Sequence, residues 1–128
     1  MNKYRARKTV FLGIRFDSKG EADRYRYLWE MSVIGEISDL QRQKEYELIP
    51  AFSVGRKRYR PIKYIADFVY THKGREIVED YKGMKTPVYL IKRKLFAWRY
   101  QKEIHEIKRW NQPIPGAERA GNASQFRR

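Results

Sequence analysis

Two extended stretches meeting at a short turn constrain this chain more than any other feature. Lys57–Tyr70 and Arg75–Lys82 are rich in aromatic and β-branched residues, and Thr71-His72-Lys73-Gly74 separates them. Runs of this kind around a glycine-ended turn read as an antiparallel hairpin. Pro61 interrupts the first run, and because proline donates nothing to a ladder, an edge or a bulge is expected there. Side chains alternate along a strand, so Asp67 is expected on the face of Ile65 and Val69, and Asp80 and Lys82 on the face of Val78, with Glu79 and Tyr81 opposite. A carboxylate in the middle of an apolar strand must be desolvated, paired or metal-bound. Neighbouring strands lie about 4.8 Å apart, so a register that brings Asp67 near Asp80 makes two carboxylates converge. They repel unless a cation intervenes, and Mg2+ suits such a site because it takes one or two carboxylates plus water and substrate phosphate. Lys82 adds a positive charge beside them. The pattern alone leaves a second reading open: Asp67 paired with Lys63 or an arginine, and Asp80 and Lys82 at an exposed, charged strand end.

The rest of the chain supplies partners for that hairpin. Its 128 residues suit one domain. Thr9–Phe16 is a short extended segment broken at Gly13. Asp17-Ser18 opens a helix to about Ser32, with Ala22, Tyr25, Leu28, Trp29 and Ser32 at helical spacing and Gly35 at its end. Leu40–Pro50 reads as a strand that Phe52 and Val54 carry on to a turn at Gly55-Arg56. After the loop Gly83-Met84-Lys85, Thr86-Pro87 pairs an N-cap residue with proline at the first helical position, starting a helix to about Tyr100 that carries Lys92, Arg93, Lys94 and Arg99. Glu103–Trp110 is a candidate last strand. Residues 1–110 thus form one domain with a basic N-terminal arm, and 111–128, rich in Pro, Gly, Ala, Asn, Ser and Gln, read as a flexible basic tail. The fold class is α/β, a central mixed β-sheet flanked by helices.

Charge narrows the function. Lys and Arg number 29 against 15 Asp and Glu, a net charge of +14, which calls for a polyanionic partner, most commonly nucleic acid. There is no cysteine, which excludes disulfides, thiolate zinc sites and cysteine nucleophiles, and His72 and His105 do not stand at metal-ligand spacing. No apolar run is long enough to span a bilayer and no signal-like segment follows Met1, so a soluble cytoplasmic protein with no membrane partner is expected. Candidate phosphate contacts are Arg5, Arg7 and Lys8 in the arm, Arg56, Lys57, Arg58 and Arg60 around the aromatic Tyr59, and Lys85 and Lys92 near and on the second helix. A solvated terminus and an aggregation-deterring hairpin tip are the plainer readings of the first two groups. Ser18-Lys19-Gly20-Glu21 fits a capping box, and Glu21 also lies on the packed side of its helix, within reach of a metal at a sheet edge.

Glu21 on the first helix, Asp67 on one strand and Asp80-Tyr81-Lys82 on the next together resemble the PD-(D/E)XK nuclease superfamily. The segments Phe16–Ala22, Tyr64–Phe68 and Val78–Thr86 are similar to those of a family of small bacteriophage and prophage endonucleases within it, and size and layout resemble archaeal-type Holliday-junction resolvases. The resemblance implies a restriction-endonuclease-like core and a homodimer acting on four-way junctions or other branched DNA. It also implies Mg2+, with Mn2+ substituting, as the cofactor of cleavage by a metal-activated water. Asp67, Asp80 and Glu21 would hold the ion with the main-chain carbonyl of Tyr81, and Lys82 would activate or position the water. Ala66 stands where the superfamily's proline would precede Asp67. A longer insert than in compact resolvases, containing Arg56–Arg60, separates the first helix from Asp67. Two alternatives remain open: a nuclease of the same kind acting on flaps, single strands or a specific duplex site, and a non-catalytic DNA-binding protein.

Overall fold

The computed structural model describes residues 9–116. The arm residues Arg5, Arg7 and Lys8, and residues 117–128 of the expected tail, lie outside the described residues. Strands β1 (Thr9–Phe11) and β2 (Ile14–Phe16) form a small hairpin, followed by helix α1 (Lys19–Val33) and strand β3 (Ser38–Ile49). Strands β4 (Phe52–Val54) and β5 (Lys57–Tyr59) form a second small hairpin. Strands β6 (Ile62–His72) and β7 (Arg75–Tyr81), helix α2 (Pro87–Tyr100) and strand β8 (Ile104–Ile107) complete the fold. The central sheet has the order β3-β6-β7-β8. Its first two pairings are antiparallel, while β7 and β8 are parallel, the connection for which α2 serves as crossover.

Local chemistry explains most of these boundaries. The Ser18 hydroxyl accepts the Glu21 amide at 3.1 Å and caps α1; the Thr86 hydroxyl does the same for the Tyr89 amide at 3.1 Å, with Pro87 at the start of α2. Lys73 and Gly74 both have positive φ, 51° and 78°, as a tight two-residue hairpin turn between β6 and β7 requires. Pro61 does more than bulge a strand: it separates β5 from β6, so the run expected to be continuous from Lys57 is split between two sheets.

The two helices cover opposite faces of the sheet. Leu28 and Ala22 of α1 pack with Phe16, Phe68, Tyr70 and Ile77, and Phe96 of α2 packs with Tyr46, Leu48, Tyr64, Ala66, Val69, Val78 and Ile104. Strict alternation would put Tyr64, Ala66, Phe68 and Tyr70 on one face. Instead the first two belong to the α2 side, together with Val69, and the last two to the α1 side. The neighbouring strand changes phase at the same level: Tyr46 and Leu48 face α2, whereas the Arg42 guanidinium lies over the Phe16 ring on the α1 side. The pairing of Arg42 with Phe68 and of Lys44 with Ala66 is continuous across this point, so both strands change phase together. Gln43, between those pairs, has φ 52°, a left-handed conformation that breaks the pleat. The expectation that Asp67 shares one face with both Ile65 and Val69 is therefore corrected: Ile65 is exposed and Val69 is core, because alternation slips at Asp67 itself.

Under α1 lies a fully buried ion pair. Arg24 grips Glu79 with two parallel hydrogen bonds, Nη2 to Oε2 at 2.6 Å and Nε to Oε1 at 2.9 Å, and the Tyr70 hydroxyl donates to the same carboxylate. Arg24 Nη1 donates onward to the carbonyls of Trp110, at 3.0 Å, and Gln112. Ile114 is buried in the α1-side core. Of the tail expected from Asn111, residues 111–114 thus pack with the domain; buried hydrogen bonds and one core isoleucine outweigh their loop-like composition.

Candidate active site

Val69 stands opposite Val78 and Phe68 opposite Glu79 in the β6–β7 register. The ladder ends there, and the next residues, Asp67 and Asp80, lie close enough to repel each other, while Asp80 is itself paired with Glu106 on β8. Three carboxylates therefore occupy neighbouring positions across three strands, with the first turn of α1 bringing Glu21 toward the first two.

Each carboxylate is held differently. Asp67 Oδ2 accepts the Tyr81 amide at 2.7 Å, and the Gln43 side chain is near enough to favour the charged form of this carboxylate. Asp80 Oδ2 accepts the Tyr64 hydroxyl at 2.6 Å, while its Oδ1 lies against Gly83, where a β-carbon would collide with it. Glu106 is saturated with donors: Tyr89 Oη at 2.7 Å, Arg93 Nη1 at 2.7 Å and Lys85 Nζ at 3.3 Å.

The electrostatics follow from these partners. Burial pushes the Asp67 carboxyl up to about 7, the Tyr81 amide opposes it, and repulsion from Asp80 and Glu21 adds to the rise. Burial likewise raises Glu21, with Asp17 and Asp80 repelling it and Arg42 pulling the other way. Burial raises Asp80 too, against the Tyr64 hydrogen bond and with Glu106 adding. For Glu106, burial is overcome by Tyr89, Arg93 and Lys85, which hold it at about 2. Among the described residues, the buried and half-buried carboxylates Asp23, Glu76, Glu79 and Glu106 are all paired with a lysine or arginine. Glu21, Asp67 and Asp80 are half-buried as well and, among the described residues, form no ion pair, in a chain of net charge +14. Desolvated carboxylates without a counter-charge are costly, and they are the natural ligands of a hard cation. Among the described residues no three Asp, Glu, His or Cys side chains are gathered tightly enough to ligate one ion together.

The other expected site residues divide. Tyr81 ends β7 and places its amide on Asp67. Lys82 does not continue the strand: its φ is 51° and its amide donates to the Ile107 carbonyl at 2.8 Å. Alternation therefore does not set the direction of its side chain, and among the described residues its ammonium makes no ion pair with Asp67 or Asp80. Arg56, Lys57, Arg58 and Arg60 are exposed on and beside the β4–β5 hairpin. Lys85 is tied to Glu106, and Lys92 lines a groove with Pro61, Ile62 and Lys63. Sequence reasoning missed Tyr64, Gln43, Arg42 and Glu106. Tyr64 and Gln43 become visible only once the phase slip is known. Glu106 was concealed because the register of a parallel pair depends on where the crossover helix returns the chain. Arg42 is the neighbour of Glu21, and among the described residues its Nε is buried without a hydrogen-bond partner.

Over residues 1–111 the chain matches, and belongs to, the family described as Protein of unknown function (DUF1064). No curated protein and no solved structure matches it.

Proposed function

We propose that this chain is a Mg2+-dependent DNA endonuclease of the PD-(D/E)XK kind, acting on branched DNA as a homodimer. The observation that carries the reading is the approach of Asp67, Asp80 and Glu21 to one another, half-buried and, among the described residues, without an ion pair, in a chain otherwise crowded with bases. The element order supports it as well: Glu21 on α1, Asp67 on β6, Asp80 on β7, then the basic helix α2 and a parallel β8.

Asp67 and Asp80 would hold Mg2+ or Mn2+ with the Tyr81 carbonyl, water and substrate phosphate, and Glu21 would join through water. An ordinary Mg2+ site needs no more than one or two carboxylates, so this donor set fits the ion. The ion supplies Lewis acidity at the scissile phosphate and makes a nucleophile available from water at neutral pH. The chain's own groups keep the carboxylates in place. Tyr64, protonated far beyond neutrality because it is buried beside Asp80, donates to one oxygen of Asp80. The Tyr81 amide orients Asp67, and Gly83 leaves room for the second oxygen of Asp80. Lys82, exposed just beyond the strand, is assigned to the substrate phosphate or the attacking water. The net charge of +14 draws in the DNA backbone.

The test is a panel of labelled four-way junctions, flaps, single strands and linear duplexes incubated with Mg2+. Wild type is expected to nick branched DNA, and Asp67→Asn and Asp80→Asn to bind it without nicking. Binding without strand breaks on every DNA form, by wild type in Mg2+ and Mn2+, would overturn the nuclease assignment in favour of a non-catalytic binding protein.

A further inference from the structure

The β4–β5 hairpin is a separate two-stranded sheet, hydrogen-bonded to no other strand among the described residues, and all six of its strand residues are exposed. The pairing sets Phe52 opposite Tyr59, Ser53 opposite Arg58 and Val54 opposite Lys57. Alternation then gives one face to Phe52, Val54, Lys57 and Tyr59 and the other to Ser53 and Arg58. On the first face the Phe52 and Tyr59 rings stack, with centroids 4.8 Å apart and planes at 13°, and Lys57 Nζ sits 5.4 Å from the Tyr59 centroid. The rings remain 43% and 39% exposed. From Ala51 to Ala66 the sequence carries Arg56, Lys57, Arg58, Arg60 and Lys63 and no acid.

An isolated two-stranded hairpin is marginal in water, so an outward aromatic stack on such a hairpin does little for the core. A partner that suits this face must offer flat π-surfaces and negative charge together. A nucleotide offers both, but in duplex DNA the faces of the bases are covered by their neighbours. Only an unpaired nucleotide presents a free face to stack on a ring while its phosphate meets the flanking bases.

We propose that the Phe52–Tyr59 face of this hairpin is a stacking platform for an unpaired nucleotide of DNA, and that it sets the preference for branched over fully paired substrate. This deepens the nuclease reading and rests on it for the identity of the substrate. The hairpin joins β6 at Ile62, five residues before Asp67, a separation of about 17 Å along the strand. The platform thus engages the unpaired nucleotide well away from the phosphate at the acidic site, and reports on DNA form without touching the reacting atoms.

The test is equilibrium binding in EDTA, which needs neither metal nor cleavage. The full chain is titrated into a forked DNA with 2-aminopurine at an unpaired position, and into a fully paired duplex of equal length. Wild type is expected to bind the fork more tightly and to change the 2-aminopurine fluorescence. The double variant Phe52→Ala/Tyr59→Ala is expected to lose about tenfold on the fork and less than twofold on the duplex, the range of a lost base–aromatic stack. Tyr59→Phe, which keeps the ring, is expected to retain the preference, and Tyr59→Leu, apolar without a π-face, to lose it; this contrast separates stacking from collapse of the hairpin. Arg58→Ala, on the opposite face, is expected to weaken both DNAs alike and to lower the salt slope by about one. Equal losses on fork and duplex by the aromatic variants, full preference in Tyr59→Leu, or no DNA binding by wild type would each overturn the platform. Fork preference in EDTA with no cleavage in Mg2+ would sink the nuclease reading and leave the platform standing.

Discussion

Replacing Asp67 with asparagine should stabilise the fold while destroying the site. The carboxyl is pushed from an ordinary 3.8 to about 7 by burial and by its acidic neighbours. A shift of about three units corresponds to a ceiling of about 4 kcal/mol, at about 1.4 kcal/mol per unit. Asp67 is only half-buried, so solvent screening reduces the realised cost to about 1–2 kcal/mol. The folded-state pKa is raised, so the favourable contribution of the protonated group is complete below about pH 4 and is lost as pH rises through about 7. Above that, the native state carries a desolvated charge that the unfolded chain solvates. Asparagine keeps an oxygen for the Tyr81 amide and carries no charge. Asp67→Asn is therefore expected to melt several degrees higher than wild type at pH 8, since about 1 kcal/mol corresponds to a few degrees for a domain of this size. The gain should shrink steadily toward pH 4, and Mg2+ at pH 8 should raise the melting temperature of wild type but not of the variant. Thermal melts followed by circular dichroism across that pH range, with and without Mg2+, measure all three. Equal stability at pH 8, or a gain that persists unchanged at pH 4, would refute the claim that Asp67 is held against its preference.

Three further perturbations probe the surroundings. Gly83→Ala drives a methyl group into Asp80 Oδ1 and is expected to abolish Mg2+-dependent cleavage at a modest cost in stability, measured by nicking and melting side by side. Arg24→Met leaves Glu79 buried without its partner and should cost about 3–5 kcal/mol in urea unfolding, most of it recovered when Glu79→Met is added. Glu76 is opposed by burial but held at about 2 by Lys102, Lys44 and Tyr46, so its stabilisation is present above about pH 4.5 and lost as pH falls through about 2. Glu76→Gln should accordingly cost about 1 kcal/mol at pH 7 after screening, with the gap to wild type closing over that acid range.

Much of the architecture was legible in the sequence because it is written in local chemistry. Ser18 before α1, Thr86-Pro87 before α2 and Lys73-Gly74 between β6 and β7 each act through nearest neighbours, and those boundaries fall within a few residues of expectation. Asp67 and Asp80 were legible as a pair because a hairpin fixes its own register. What stayed hidden depends on distant parts of the chain. The phase slip at Gln43 and Asp67 moves Tyr64 onto the side of Asp80, and strict alternation cannot foresee it. The Arg24–Glu79 pair spans fifty-five residues and looks in sequence like two surface charges. Ile114 sits in a stretch whose composition resembles a linker, yet Arg24 binds the carbonyls beside it and draws it into the core. Lys82 continues the apolar–polar pattern of β7 in sequence, yet its left-handed backbone takes it out of the pleat.

Calorimetric titration of Mn2+ into the metal-free chain, wild type beside Asp80→Asn, asks most directly whether Asp67, Asp80 and Glu21 form a cation site. A saturable site in wild type that vanishes in Asp80→Asn is the predicted result. Identical heats in the two proteins, or none in wild type at millimolar Mn2+, would mean that these carboxylates do not gather around an ion.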